Sequence, residues 1–489
     1  MNKNHTIAIL ILIILVGVSL RFYNIGKESF WLDEGATGLA MKKYSTGQIF
    51  LNILRDGQLL PGYYPYNTDL PVYYISLSIW TNLFNVSDTS LRAFSALFGS
   101  LSIMIIFYLG RLLFDDKTAI LATFFSSINL TLIDYSQEAR QYSFLLFLSL
   151  VSVVIFLKYL KSKKWTYLVM LLLCNALIIY SHYPWFLFIA AEGVYATCLV
   201  CNQYIKHKKL DKRLIAVFLV LGLMYLPLIS RVLSTNTDTV KFFGRPNAIN
   251  TAEFGVQLST WLYPADPMRQ KLHNTPLNLS LYEWLLLSSV VLITIIFAFV
   301  FVIGVIKMLH KRQYNVLVFF FFPLFLALLF SFIHPIISIF KLKYLIYLLP
   351  LYVLVAAFGL MKTKYSKHII ILIVLLSVLP LQAYYTNINK QQFREAAEFL
   401  KTNEPIFINI NTAQVAFKYY YGEKSNVIEF TNVDELKSSI TPNSSFWILL
   451  TFTRYSDPDG EIKKFLNNNY NLVEQKEFFD ISLLHYTKK

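Results

Sequence analysis

The chain has 489 residues; 56% are hydrophobic, only 15% are charged, and the formal net charge is +15. Mean hydropathy is +0.50, whereas soluble domains are about 45–50% apolar even with glycine counted and about 25% charged. These values exclude a disordered chain, a collagen-like repeat and an ordinary cytosolic enzyme, and they point to an integral membrane protein with many helices. The three cysteines, Cys174, Cys198 and Cys201, lie in apolar runs, so no disulfide framework is expected.

Eleven apolar runs approach the roughly 20 residues needed to cross a bilayer. They lie near 6–21, 91–112, 118–134, 142–160, 165–181, 183–204, 214–233, 282–307, 314–333, 343–361 and 368–386. The first lacks a small-x-small cleavage site and ends in Arg21-Phe-Tyr, so it reads as an uncleaved span rather than a signal peptide. A further apolar stretch, 71–84, is shorter and is bounded by Pro71 and the polar run Asn85 to Ser90.

Four basic clusters punctuate the chain: Lys158/Lys161/Lys163/Lys164, Lys206/Lys208/Lys209/Lys212/Arg213, Lys307/Lys311/Arg312 and Lys362/Lys364/Lys367, with Asp211 the one acid among them. Two spans separate each cluster from the next, so all four share one side, which the positive-inside rule makes cytoplasmic. The net charge is therefore a topology signal and implies no nucleic-acid partner. Four spans precede Lys158, and a full crossing by 71–84 would break that parity. Segment 71–84 thus reads as a half-helix or interfacial segment in the first external loop.

Three regions then face outward: loop 22–90, loop 234–281 and the C-terminal segment 387–489. Residues 1–386 form the membrane domain. The C-terminal segment is polar, with strands expected at 405–410, 445–450 and 481–487 and helices near 391–402, 433–440 and 460–468, making a small extracytoplasmic α/β domain.

Chemistry-bearing residues gather on the outward face. Adjacent acids in a loop are commonly just solvated, but Phe30 and Trp31 anchor Asp33-Glu34 at the interface. Partial desolvation there raises a carboxylate's proton affinity and suits a general base. Between two spans, Tyr135-Ser-Gln-Glu138-Ala-Arg140-Gln-Tyr142 reads either as an ion pair capping the next helix or as an anion site made by a helix start and a guanidinium. His182 lies in another outward turn, with no second histidine at metal-ligand spacing. Lys341 and Lys343 put positive charge on the outer face, against the topology trend, which suits an anionic ligand. Asp457-Pro-Asp459 before Gly460 reads as a turn rather than a metal motif. Cys198-x-x-Cys201 reads as packing within a span rather than redox chemistry. No nucleotide-binding fingerprint is present.

Taken together, the Asp33-Glu34 pair after a first span, the Pro71-Val-Tyr-Tyr segment, Leu91-Arg-Ala-Phe-Ser-Ala-Leu-Phe-Gly99, Gly110-Arg-Leu-Leu-Phe114 and Tyr135-Ser-Gln-Glu-Ala-Arg-Gln-Tyr142 resemble the family 39 glycosyltransferases. These are GT-C-fold membrane enzymes related to protein O-mannosyltransferases and lipid A aminoarabinose transferases. The resemblance covers roughly 1–386. It implies an inverting transfer of a hexose or pentose from a polyprenyl-phosphate donor to a hydroxyl of a lipid, glycan or protein acceptor outside the cytoplasm. It gives Asp33 the role of base, with Glu34 assisting, and sets Glu138, Arg140 and Lys343 beside the donor phosphate. Gln137, Tyr142, His182 and Tyr344 join as substrate-site candidates. At Asn67-Thr-Asp-Leu-Pro71 the chain departs from relatives that carry His-Pro-Pro or Lys-Pro, and Asp69 is the candidate replacement. The Trp-Trp-Asp motif of oligosaccharyltransferases is absent, against transfer of a whole oligosaccharide. No redox cofactor or nucleotide is required; a divalent metal could help neutralise the phosphate, but no ligand cluster demands one. The alternative is a transporter or flippase of a polyprenyl-linked sugar, which would need the cations but no base at Asp33.

Overall fold

A computed structural model describes residues 3–63, 69–233, 248–260, 279–333, 339–441 and 445–489. Among these, eight helices are long and apolar enough to cross a membrane, or nine if a pair bent by 58° counts as one span. The long ones are α1 (Lys3–Phe22), α5 (Asp88–Leu113), α8 (Tyr142–Ser162), α10 (Phe186–His207, continuing the 3-10 turn Tyr183–Trp185), α11 (Lys212–Leu233), α13 (Leu281–His310), α14 (Tyr314–Ile333) and α17 (Ser366–Thr386). The bent pair is α6 (Asp116–Ile128) and α7 (Leu130–Ser136). Two shorter apolar helices, α9 (Trp165–Ile179) and α16 (Leu348–Leu360), occupy the remaining expected spans, α16 after the single turn α15 (Leu342–Leu345). The protein is thus a multi-pass membrane protein, and each of the eleven expected runs contains a helix.

The outside of the bundle is apolar, unlike that of a soluble protein, while the interior keeps an apolar core. Leu12, Leu15, Leu223, Phe299 and Leu375 lie exposed on the outside of the bundle, as lipid-facing positions should. All thirteen residues of α16 are buried. A short helix suffices there because other helices, not lipid, surround it.

The two ends of the bundle differ. At one end Lys163 pairs with Asp211 at 3.0 Å, Lys158 lies over the Tyr108 ring, and Lys311 and Lys362 both approach the Phe358 ring. All four basic clusters are represented at that end or in its connecting turns. The other end carries the first loop, the turn 137–141, His182, Lys341 and the C-terminal domain.

Loop 22–90 is helical rather than irregular, with α2 (Leu32–Lys43), α3 (Thr46–Asp56) and α4 (Pro71–Phe84). A Ser45/Gln48 capping box starts α3, and left-handed Gly57 ends it. Pro71 opens α4 at a position where its missing N–H is not needed. Both ends of α4 stay at the site end: Val72 N–H donates to the Tyr180 carbonyl at 3.0 Å, and Trp80 Nε1 to the Ser90 carbonyl at 2.9 Å. Of loop 234–281, the described part is α12 (Ala248–Ser259) and its flanks; the rest, like Asn67 and Thr68, lies outside the described residues.

The C-terminal domain is a five-stranded mixed sheet in the order β2-β1-β3-β5-β4. It runs through α18 (Phe393–Phe399), β1 (Ile406–Ile408), α19 (Asn411–Tyr421), β2 (Val427–Glu429), α20 (Val433–Ser439), β3 (Phe446–Thr451), the turn α21 (Thr453–Ser456), α22 (Glu461–Asn469), β4 (Tyr470–Phe478) and β5 (Ile481–Lys488). Strands β1, β2 and β3 are parallel, while β5 pairs antiparallel with both β3 and β4. Helix α19 docks on α2. Gly35 of α2 lies so close to the Ala416 backbone that a Cβ there would collide with it, and Lys42 Nζ reaches the Tyr419 carbonyl at 2.9 Å.

Candidate active site

Asp33 and Glu34 occupy the first turn of α2 and point to different surroundings. Glu34 is fully buried. Arg92 of α5 grips it through two bonds, Nε to Oε1 and Nη2 to Oε2, both 2.8 Å. The Ala139 N–H donates to Oε1 at 2.8 Å, and Lys390 Nζ to Oε2 at 3.0 Å. Burial alone would raise this carboxyl, but Arg92 and Lys390 outweigh it and hold it at about 2. Arg92 spends its remaining donors on the carbonyls of Ile25, Glu28 and Ser29. Glu34 therefore ties α2, α5 and the turn 137–141 together.

Asp33 is half-buried, and among the described residues its carboxylate has no hydrogen-bond or ion-pair partner. Its charge acts on Arg140, Lys341 and Lys343, and on Glu138. A carboxylate that has no hydrogen-bond partner among the described residues and whose charge acts on three cations is the central chemical feature of the site.

The turn 137–141 sits against the start of α2. Arg140 Nη1 donates to the Asp33 carbonyl and to Thr37 Oγ1, both at 3.3 Å, while its Nε is buried without a partner among the described residues. Arg140 and Glu138 form no ion pair among the described residues, so the simple capping-pair reading does not hold. Glu138 is 7% exposed, and its Oε1 has no partner among the described residues. Burial, aided by Glu34, Asp134 and Asp33 against the opposing pull of Lys390, pushes its carboxyl up to about 8.

Lys341 precedes α15 and Lys343 lies on it, 5.3 Å from the Tyr344 ring. Burial and the charge of Lys343 push the Lys341 ammonium down to about 8. Two lysines crowded in this way favour an anion between them. His182 stacks between Tyr183 and Tyr344, each 5.5 Å away, and meets Tyr142 edge-on. Burial, with Arg140 and Lys343 nearby, holds the imidazole well below its usual range, and Nδ1 is buried without a partner among the described residues. A neutral imidazole with a free nitrogen thus adjoins the cations.

Two candidates prove to be tied into the scaffold. Gln137 Nε2 donates to the carbonyls of Leu20, Arg21 and Tyr23, and its Oε1 accepts from Tyr384. Asp69 accepts from the Leu59 N–H at 2.8 Å and Tyr74 OH at 3.1 Å, which folds the chain between α3 and α4. Asp457 and Gly460 form a turn, as expected. Cys198 and Cys201 are free and exposed on the span α10. Among the described residues, no three His, Cys, Asp or Glu side chains converge as metal ligands.

Sequence reasoning missed Arg92 and Lys390. Arg92 had a signal, an arginine at the start of an apolar run whose burial demands a partner. Lys390 had none, being one polar residue in a linker.

These features define a multi-pass membrane protein with the GT-C fold, an acid-and-cation site at one end and a small sheet domain beside it. Residues 68–233 match the family described as dolichyl-phosphate-mannose-protein mannosyltransferase, a stretch that contains the Leu91–Gly99 and Tyr135–Tyr142 motifs. Among solved structures, ArnT from Cupriavidus metallidurans in the apo state aligns with a TM-score of 0.55 at 12% identity over 97% of each chain. The same protein bound to undecaprenyl phosphate gives 0.52, again at 12% identity over 97% of each chain. The Archaeoglobus fulgidus oligosaccharyltransferase tethered to an acceptor peptide gives 0.51 at 13% identity, covering all of this chain and 74% of that one. No curated protein matches the chain by sequence.

Proposed function

We propose that the protein is an inverting glycosyltransferase. It moves one hexose or pentose from a polyprenyl phosphate to a hydroxyl of a lipid, glycan or protein acceptor on the extracytoplasmic face. The observation that carries this reading is the unpartnered Asp33 carboxylate opposite Arg140, Lys341 and Lys343. In the proposed step, Asp33 accepts the proton of the acceptor hydroxyl as its oxygen attacks the anomeric carbon. The bond from that carbon to the phosphate oxygen breaks on the opposite face, which inverts the centre. Polyprenyl phosphate leaves with the electron pair, and Arg140 and the two lysines neutralise it. Preorganised charge of this kind is commonly the largest single contribution to a transfer reaction. The step needs no nucleotide or redox cofactor.

Two similarities support the donor class: the match of 68–233 to a dolichyl-phosphate-mannose family, and the shared fold with an ArnT crystallised with undecaprenyl phosphate. The test is direct. Purified protein is incubated with polyprenyl-phosphate hexoses and pentoses and a cell-envelope extract, and released polyprenyl phosphate and glycosylated products are read by mass spectrometry. Acceptor-dependent release supports the transferase. Movement of intact donor across a vesicle membrane without release identifies a transporter instead.

A further inference from the structure

Segment 387–394 joins the last span to the C-terminal domain, and it grips the first loop. The Asn389 N–H donates to Glu28 Oε1 at 2.6 Å. Ser29 Oγ donates to the Gln391 carbonyl. Arg394 reaches the carbonyls of Gly26, Lys27 and Glu28 and pairs with Asp88 at 2.5 Å. At the centre, Lys390 Nζ touches both Glu34 Oε2 at 3.0 Å and the Gln137 carbonyl at 3.4 Å.

Those two contacts have a geometric consequence. Glu34 is the neighbour of Asp33. Gln137 lies on the turn that presents Arg140, and Ala139 of that turn already donates to Glu34. One ammonium therefore ties the chain segment carrying the open carboxylate to the segment carrying the guanidinium. Arg92 neutralises Glu34 by itself through two bonds, so burial of that acid does not require Lys390. What Lys390 adds is a further tie between the two segments, beside the Ala139–Glu34 and Arg140–Asp33 bonds.

We propose that Lys390 is a positioning residue for transfer: held by the C-terminal segment, it sets the separation between Asp33 on α2 and Arg140 on the turn 137–141. The C-terminal domain thereby becomes part of the catalytic apparatus through its linker. This rests on the glycosyltransferase reading above. Misplacing reacting groups by about 1 Å can cost about 100-fold in rate, so a flexible separation would be felt in kcat.

Lys390 also faces a set of acids. Its charge acts on Glu28, Glu34, Asp134 and Glu138, with Arg92 as the other cation and Asp33 at the edge of the group. Removing it raises the carboxyls of Glu28, Glu34, Asp134 and Glu138.

The test uses full-length Lys390→Met and Lys390→Arg. Undecaprenyl phosphate serves as the binding probe, and the rate substrate is the polyprenyl-phosphate sugar that wild-type protein turns over. Lys390→Met is expected to lower kcat on the order of 10- to 100-fold and to leave undecaprenyl phosphate affinity within about threefold. Lys390→Arg should recover most of the rate. Wild-type kcat in Lys390→Met overturns the proposal, as does equal loss in both variants that follows their thermal stability. If wild-type protein releases phosphate from no donor, the glycosyltransferase reading fails, and amide exchange then decides the cross-link. Faster exchange at 32–36 and 137–141 in Lys390→Met supports it, and unchanged exchange removes it.

Discussion

One peptide bond separates a carboxylate with no hydrogen-bond partner among the described residues from one enclosed by four donors. The first turn of α2 directs Glu34 inward, where Arg92, Lys390 and the Ala139 N–H saturate it, and leaves Asp33 facing the cations. The importance of the pair was legible in the sequence, but the division of labour was not, because it depends on donors 58, 105 and 356 positions away. Glu138 makes the same point with opposite sign. Burial lifts its carboxyl from 4.5 to about 8, so the folded protein holds a proton that the unfolded chain has released between those values. A raised acid of this kind lowers stability as pH rises through that window, and its effect is level outside it. Glu138→Gln keeps a neutral side chain at all pH values. Its melting temperature should therefore change less between pH 5 and pH 8 than that of wild type; the same pH dependence in both would show that Glu138 is ionised in the folded protein.

At the scale of elements, hydropathy located the spans because a bilayer demands continuous apolar length, and the structure places a helix in every run. Helices α2 and α3 were not anticipated, although Ser45, Gln48 and Gly57 are start and stop signals that could have revealed α3. In the C-terminal domain, β1, β3 and β5 were legible as apolar runs. Strand β4, exposed along most of its length, and the Tyr-rich α19 were not. Helix α4 tests the topology. It is 14 residues, about 21 Å long, and both its ends are bonded to groups at the site end, so it lies along that end without crossing. Membrane-impermeant thiol reagent applied from outside should label Arg55→Cys and Thr89→Cys alike in intact cells, and Lys364→Cys only after permeabilisation. Labelling of position 89 only after permeabilisation would make α4 a span and reverse the sidedness of everything after it.

Across the whole molecule, the basic clusters gather at one end, and the acids and cations of the site gather at the other beneath the C-terminal domain. That polarity was readable from charge counting alone, but the docking of the domain on α2 and its linker's reach to Glu34 were not. The central claim is that Asp33 removes the acceptor proton while the cations hold the donor phosphate. The most direct measurement is turnover of a polyprenyl-phosphate sugar by purified Asp33→Asn beside its affinity for undecaprenyl phosphate. The amide cannot take the proton but leaves the cations in place, so transfer should fall on the order of 10²- to 10⁴-fold with affinity largely retained. Turnover by Asp33→Asn close to that of wild type would contradict the account.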